Sequence, residues 1–167
     1  MKKLFLVGAL ALFGAMNAQT TGNFKLGAHV GLPTGDAGDA FSFNAGVDVA
    51  YTWKIAENFD LGVATGYSQY FWKSDVKDAL ESIGIDVPNA GFIPIAATGQ
   101  YAFGKGFFLG ADLGYAISTA KDSDGGFYYQ PKVGYTFQEK NDLYISYKGI
   151  SNDGSISSIN LGYAYRF

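Results

Sequence analysis

Residues 107–118 read FFLGADLGYAIS, and the alternation within them decides the fold. Phe107, Leu109, Ala111, Leu113, Tyr115 and Ile117 take every second position, with Gly110, Asp112 and Gly114 between them. A strand projects successive side chains to opposite faces, so this period of two describes a strand with two unlike faces. Seven further stretches repeat it: Phe24 to Val30, Phe43 to Trp53, Leu61 to Tyr67 and on to Phe71, Ile93 to Phe103, Phe127 to Phe137, Leu143 to Tyr147, and Ile159 to Phe167. The interleaved positions carry Lys25, His29, Asn44, Asp48, Ser68, Thr98, Gln100, Asp112, Gln130, Lys132, Ser146, Lys148, Asn160 and Arg166, separated largely by glycine. Every charge within the strands falls on this second face and none on the apolar one. Pro131 sits on the apolar face of the sixth stretch; it cannot donate a ladder hydrogen bond, so a bulge is expected there.

The connections alternate in length. Short links fall at 54–60, 104–106 and 138–142, and longer ones at 33–42, 72–91, 119–126 and 150–155. Strand ends recur as hairpin units of a meander: 49–53 (VAYTW), 99–103 (GQYAF), 133–137 (VGYTF) and 163–167 (YAYRF). Eight alternating strands predict an all-β, eight-stranded antiparallel up-and-down barrel. The even number places both termini on one side, and short turns on that side with longer loops opposite is the outer-membrane arrangement.

The first twenty residues read differently. Lys2 and Lys3 precede an apolar run from Leu4 to Ala15, and small residues lead to Ala18-Gln19. This predicts a cleaved secretory signal over residues 1–18, with residues 19–167 forming a single barrel domain. The remaining chain carries ten basic and fifteen acidic residues, a balance that argues against nucleic acid as a partner. It has no Cys, so disulfides contribute nothing, and no apolar run suits a membrane-spanning helix. Twenty-three Gly and 17% aromatic residues are high for a water-soluble domain.

Alternation alone does not say which face is inside, since a soluble ligand-binding barrel would turn its apolar face inward. Three features point the apolar face outward, to lipid. Trp53, Phe103, Phe107, Phe137, Tyr165 and Phe167 cluster at one set of strand ends, as aromatic girdles do at membrane interfaces. The polar face is mostly Gly, Ala and Ser, which suits the narrow, filled lumen of eight strands. The chain also ends on a strand whose last residue is Phe167. There Asn160, Gly162, Tyr165 and Phe167 match the polar-x-Gly-x-x-aromatic-x-aromatic spacing of the C-terminal signal of outer-membrane barrels.

On that motif and the architecture, the chain resembles the small bacterial outer-membrane β-barrel domain family, of the OmpA-barrel and OmpX type. The resemblance implies an integral membrane protein of the cell envelope in the cell outer membrane, with both termini periplasmic. It also implies recognition by the barrel assembly machinery, and lipid and lipopolysaccharide as surroundings of a monomer.

The charges on the polar face, Lys25, Asp48, Asp112, Lys132, Lys148 and Arg166, are expected to form a lumen network that fills the interior, because buried charges require partners. Counted as four basic against two acidic, they also allow an anion-preferring, porin-like passive pore. His29 is the single His. A relay would need Asp48 and a serine, with Ser157 or Ser158 as candidates from the last strand, but no spacing motif supports catalysis. One His and no Cys make a metal site poorly supported. No catalytic, cofactor-binding or metal residue is assigned, and no cofactor is expected. In the second long loop, Val76, Leu80 and Ile83 fall at helical spacing, Ser74 is placed to cap and Gly84 to terminate. A helix over 74–85, covering the mouth or lying on the membrane surface, competes there with a loop holding a few anchoring residues. The long loops hold nine acidic residues against Lys73, Lys77 and Lys121. Solvation accounts for this excess, and divalent bridging to lipopolysaccharide phosphates is the sharper alternative. The functional readings in order are a structural or surface-interaction protein acting through its loops, a small pore, and a lipid-active barrel enzyme.

Overall fold

The computed structural model describes residues 22–84, 90–120, 124–152 and 154–167. The signal of residues 1–18 and its cleavage point lie outside the described residues, as does Lys121. In chain order the elements are β1 (Gly22–Thr34), α1 (Asp36–Ala40), β2 (Phe41–Ala56), β3 (Phe59–Trp72), α2 (Ser74–Ser82), β4 (Ala90–Phe103), β5 (Phe107–Ser118), β6 (Gly126–Phe137), β7 (Asn141–Ser151) and β8 (Ser155–Arg166). The eight strands form one closed antiparallel barrel in sequence order. Closure runs through β1 and β8, which pair from Lys25↔Arg166 through His29↔Gly162 to Thr34↔Ser157. The Phe167 amide adds a bond to the Phe24 carbonyl at 2.9 Å. A closed sheet leaves no edge of unpaired backbone, the requirement that lipid imposes on strands crossing it.

The parity read from the sequence is the parity of the barrel wall. Leu109 (53%), Leu113 (54%), Ile145 (56%) and Leu161 (52%) are exposed on the outside, whereas Asp112 (3%) and Lys148 (1%) are buried inside. From Phe107 to Ile117 the strand rises about 34 Å at ~3.4 Å per residue. At a tilt of about 40° that is about 25 Å along the axis, the height of an outer-membrane barrel's apolar band. Aromatic contacts ring the end that carries the termini: Phe103 stacks on Phe107, Phe107 meets Tyr135 edge-on, Tyr51 meets Trp53, and Tyr165 meets Phe167. A second ring marks the loop end, where Phe43 stacks on Phe71 and Phe127 on Tyr129.

Several sequence expectations change. No bulge forms at Pro131. It faces Ala111 in an unbroken β5–β6 register, and on the β7 side the pairing lapses at residues 130–131 and resumes at Tyr129↔Gly149 unshifted. A proline removes one ladder bond without adding a residue, so a local gap suffices. Pro94 behaves alike against β3, between Thr65↔Ile95 and Ser68↔Phe92, and its carbonyl accepts the Thr65 hydroxyl at 2.8 Å. The register shifts occur instead in β2–β3, at Phe41/Phe43 and Lys54/Ala56. The last outer link is not long: β7 and β8 pair up to Ser151↔Ser155, leaving only 152–154. The first loop holds α1, which alternation did not foreshadow. The helix in the second loop exists as α2, but Ser74 lies inside it, Lys73 is the N-cap residue, and no side chain caps that end. Gly84, at φ 80°, closes the turn after it.

Candidate functional site

The strands bring their polar face together as a side-chain core in three levels. At the terminus end, Asp142 of β7 accepts Lys25 Nζ at 3.0 Å, Arg166 Nη2 at 2.9 Å and the Thr136 hydroxyl at 2.7 Å. Lys25 also donates to Gln100 at 2.6 Å, and Arg166 lies 4.0 Å from Asp60. In the middle, Lys132 pairs with Asp112 at 2.7 Å. Beside them Asp48 accepts His29 Nδ1 at 2.7 Å and the Tyr144 hydroxyl at 3.0 Å, with Lys148 Nζ 3.9 Å away. Toward the loops the bonds become neutral. Gln130 Nε2 donates to Ser146 at 2.8 Å while its Oε1 accepts the Tyr128 hydroxyl at 2.5 Å, Asn44 Nδ2 donates to Asn160 at 2.8 Å, and Tyr70 meets Ser158 at 3.1 Å. Above this level lies an apolar cap: Phe41, Tyr70, Phe92, Ala116, Tyr128 and Ile150 are packed together and buried, with Ala37 of α1 in the same cluster.

All six charged residues expected in the lumen lie there, but two carboxylates were missed. Asp60 and Asp142 end the short links read from the sequence, but each continues the inward parity of its strand by one step: Asp60 with Gly62 and Ser68, Asp142 with Tyr144, Ser146 and Lys148. With them the network holds four cations (Lys25, Lys132, Lys148, Arg166) and four carboxylates (Asp48, Asp60, Asp112, Asp142). The excess of positive charge behind the anion-preferring pore is therefore absent. Buried ions are tolerable only when matched in this way, because the loss of hydration costs several kcal/mol per ion. The gap lined by Asp48, Asp112, Tyr128 and Lys132 measures about 30 Å³, room for a water or two.

Ser157 and Ser158 do not approach His29; they bond Thr34 and Tyr70. The serine that does is Ser68, whose Oγ lies 3.1 Å from His29 Nε2. Ser68, His29 and Asp48 thus meet in the order of a nucleophilic relay, but the ammonium of Lys148 stands 3.1 Å from Nε2 and donates to Ser68 Oγ at 2.9 Å. The nitrogen that would take the serine proton faces a cation instead. Ser68 and His29 are both buried inside the barrel. Among the described residues no cluster of His, Asp and Glu is placed to hold a metal ion.

The residues of the C-terminal motif occupy distinct places. Asn160 is buried against Asn44, Tyr165 and Phe167 point outward in the aromatic ring, and Gly162 lies beneath the Tyr144 ring, where a Cβ would collide with it. Gly134 makes the same room for Phe108, which would meet a Cβ at 2.5 Å. These bulky inward rings, interleaved among small residues, fill what glycine leaves open.

The sequence matches no protein-family model and no curated protein. Its structure does find relatives in shape. Ail of Yersinia pestis, in a phospholipid bilayer nanodisc, superposes with a TM-score of 0.58 at 13% identity, over 87% of this chain and 99% of that one. The N-terminal β-barrel domain of Pseudomonas aeruginosa OprF gives 0.53 at 17% identity, over 89% and 100%. The fold is that of the eight-stranded outer-membrane β-barrels. A de novo designed transmembrane β-barrel superposes comparably on this chain, with a TM-score of 0.55 at 15% identity over 89% and 98% of the two chains. The likeness therefore reports architecture and carries no residue roles across.

Proposed function

We propose that the protein is exported by the signal in residues 1–18 and resides as a monomer in the bacterial outer membrane. In this reading its termini are periplasmic, and it serves as a structural and surface-interaction protein through its loop end. The observation that carries this is the division of the barrel: an uncharged apolar wall outside, and a charge-balanced, capped interior. Such a wall needs lipid, and such an interior offers neither a reaction site nor a passage, which leaves the loops as the contact surface. The names of two similar structures agree in kind, one being an attachment invasion locus protein and the other Neisserial surface protein A, the latter with a TM-score of 0.50 at 16% identity over 87% and 97% of the chains. The C-terminal strand, with Tyr165 and Phe167 outward, supplies the surface for the assembly machinery, and lipid and lipopolysaccharide surround the belt.

The test joins location to topology. Folded protein is expected to migrate faster on gels before heating than after, and protease added to whole cells is expected to cut within 73–90. Unshifted migration together with no surface cleavage overturns the reading. Planar bilayers are expected to show no steady current from pure protein, and a steady current would reinstate the pore.

A further inference from the structure

Helix α2 is only partly covered by the described residues: Val76 and Leu80 are half-buried. None of its nine residues is buried, and Ile83, directly after it, is 70% exposed. An isolated helix of this length is marginal in water and normally depends on packing its apolar face. Its residues are nonetheless sorted by face. At 100° per residue Val76, Leu80 and Ile83 share one arc, Lys73 and Lys77 border it on one side, and Asp75, Asp78 and Glu81 lie opposite. The Lys77–Glu81 pair, 3.5 Å apart and half exposed on both sides, is too weak to hold the helix. One residue separates α2 from β3, whose outward Phe71 stacks on Phe43 in the loop-end aromatic ring. The amide of Lys73 is tied to the Ala40 carbonyl at 3.0 Å, which fixes the start of the helix at the barrel rim.

We propose that α2 is a membrane-surface anchor: Val76, Leu80 and Ile83 enter the outer-leaflet lipid beside the barrel, and Lys73 and Lys77 reach the phosphates at the same level. The inference rests on the membrane location proposed above. The occupant follows from continuity, because the helix begins one residue after β3, whose outward Phe71 belongs to the lipid-facing ring, and from charge, because the cations border the apolar arc while the acidic residues lie on the far side. This is the arrangement of a helix lying in the interface plane. Lipid thereby completes the burial that the protein provides only in part for Val76 and Leu80 and hardly at all for Ile83.

The chain has no Cys, so single labels can be placed cleanly. Ile83→Cys, Asp78→Cys and, on the mid-belt wall, Leu113→Cys are each labelled with an environment-sensitive fluorophore and folded into phosphatidylethanolamine–phosphatidylglycerol vesicles containing a lipid-borne nitroxide quencher. The label at 113 is expected to be strongly quenched, that at 83 quenched several-fold more than that at 78, and that at 78 to respond chiefly to aqueous iodide. Equal quenching at 83 and 78, with 113 quenched, overturns the anchor and leaves the membrane barrel standing. No quenching at 113 overturns both.

Discussion

Asp142 is the residue whose loss should be felt most. Its carboxylate takes Lys25 at 3.0 Å, Arg166 at 2.9 Å and Thr136 at 2.7 Å, and it is 2% exposed. Asp142→Asn keeps the shape and removes the charge, leaving two cations facing a neutral amide. Breaking one side of a buried ion pair costs roughly 3–5 kcal/mol. The lower figure applies here, because Arg166 keeps Asp60 at 4.0 Å and Lys25 keeps the Gln100 oxygen at 2.6 Å. A loss of about 3 kcal/mol is a roughly 150-fold shift in the folding equilibrium. With a slope of about 2 kcal/mol per molar in urea, the unfolding midpoint falls by about 1.5 M. The assay is urea titration of the barrel folded in detergent micelles, followed by the fluorescence of Trp53 and Trp72 and by heat-modifiable migration. Lys25→Met alone should cost less, since Arg166 still neutralises Asp142. Added to Asp142→Asn, it should recover part of the loss, because one uncompensated cation goes with it. An unchanged midpoint for Asp142→Asn, or no recovery in the double variant, would refute the account of the terminus-end network.

Other substitutions probe the wall, the packing, the relay and a turn. Leu113→Arg puts a cation at mid-belt and should lower the stability of the lipid-embedded barrel by about 2–4 kcal/mol; an equally stable variant would mean this face does not meet hydrocarbon. Gly162→Val should cost about 1–3 kcal/mol through collision with the Tyr144 ring, and Tyr144→Ala in the same chain should relieve that part of the cost, as read by a double-mutant cycle in urea. His29→Ala should destabilise the barrel by removing the partner of Asp48 at 2.7 Å, yet leave the lipid A profile of cells unchanged on mass spectrometry; an altered profile would restore the enzyme. Glu139→Gly should stabilise by about 1 kcal/mol, because Glu139 is held at φ 60° in the turn before β7, and a lowered urea midpoint would contradict that.

How much of this was legible in the sequence depended on distance along the chain. Alternation assigned every residue from Phe107 to Ser118 to its side of the wall, because side-chain direction in a strand is set by parity alone and needs no knowledge of neighbours. The same rule placed Lys25, Asp48, Asp112, Lys132, Lys148 and Arg166 inside. It failed only where a strand was cut short, and that displaced Asp60 and Asp142 into turns and left the charge balance wrong by two. Pro131 misled for a related reason: its missing donor was legible, but whether the ladder would bulge or merely lapse depended on how firmly the register held on either side.

Contacts between distant residues were decided only by the closed sheet. His29 meets Ser68 rather than Ser157 or Ser158 because the β1–β2 and β2–β3 registers set Gly46 beside both His29 and Ser68, whereas Ser157 lies opposite Thr34, higher on the barrel. The apolar cap likewise gathers Phe41, Tyr70, Phe92, Tyr128 and Ile150 from five strands, and nothing local to any one of them announces the others. The sequence by itself determined which face each residue takes and that a charge on the outer one is forbidden, since both follow from backbone geometry and the solvent on each side. The tertiary structure decided which charges neutralise each other and which apolar side chains pack across the loop end, since those depend on register and closure, which couple residues more than a hundred positions apart.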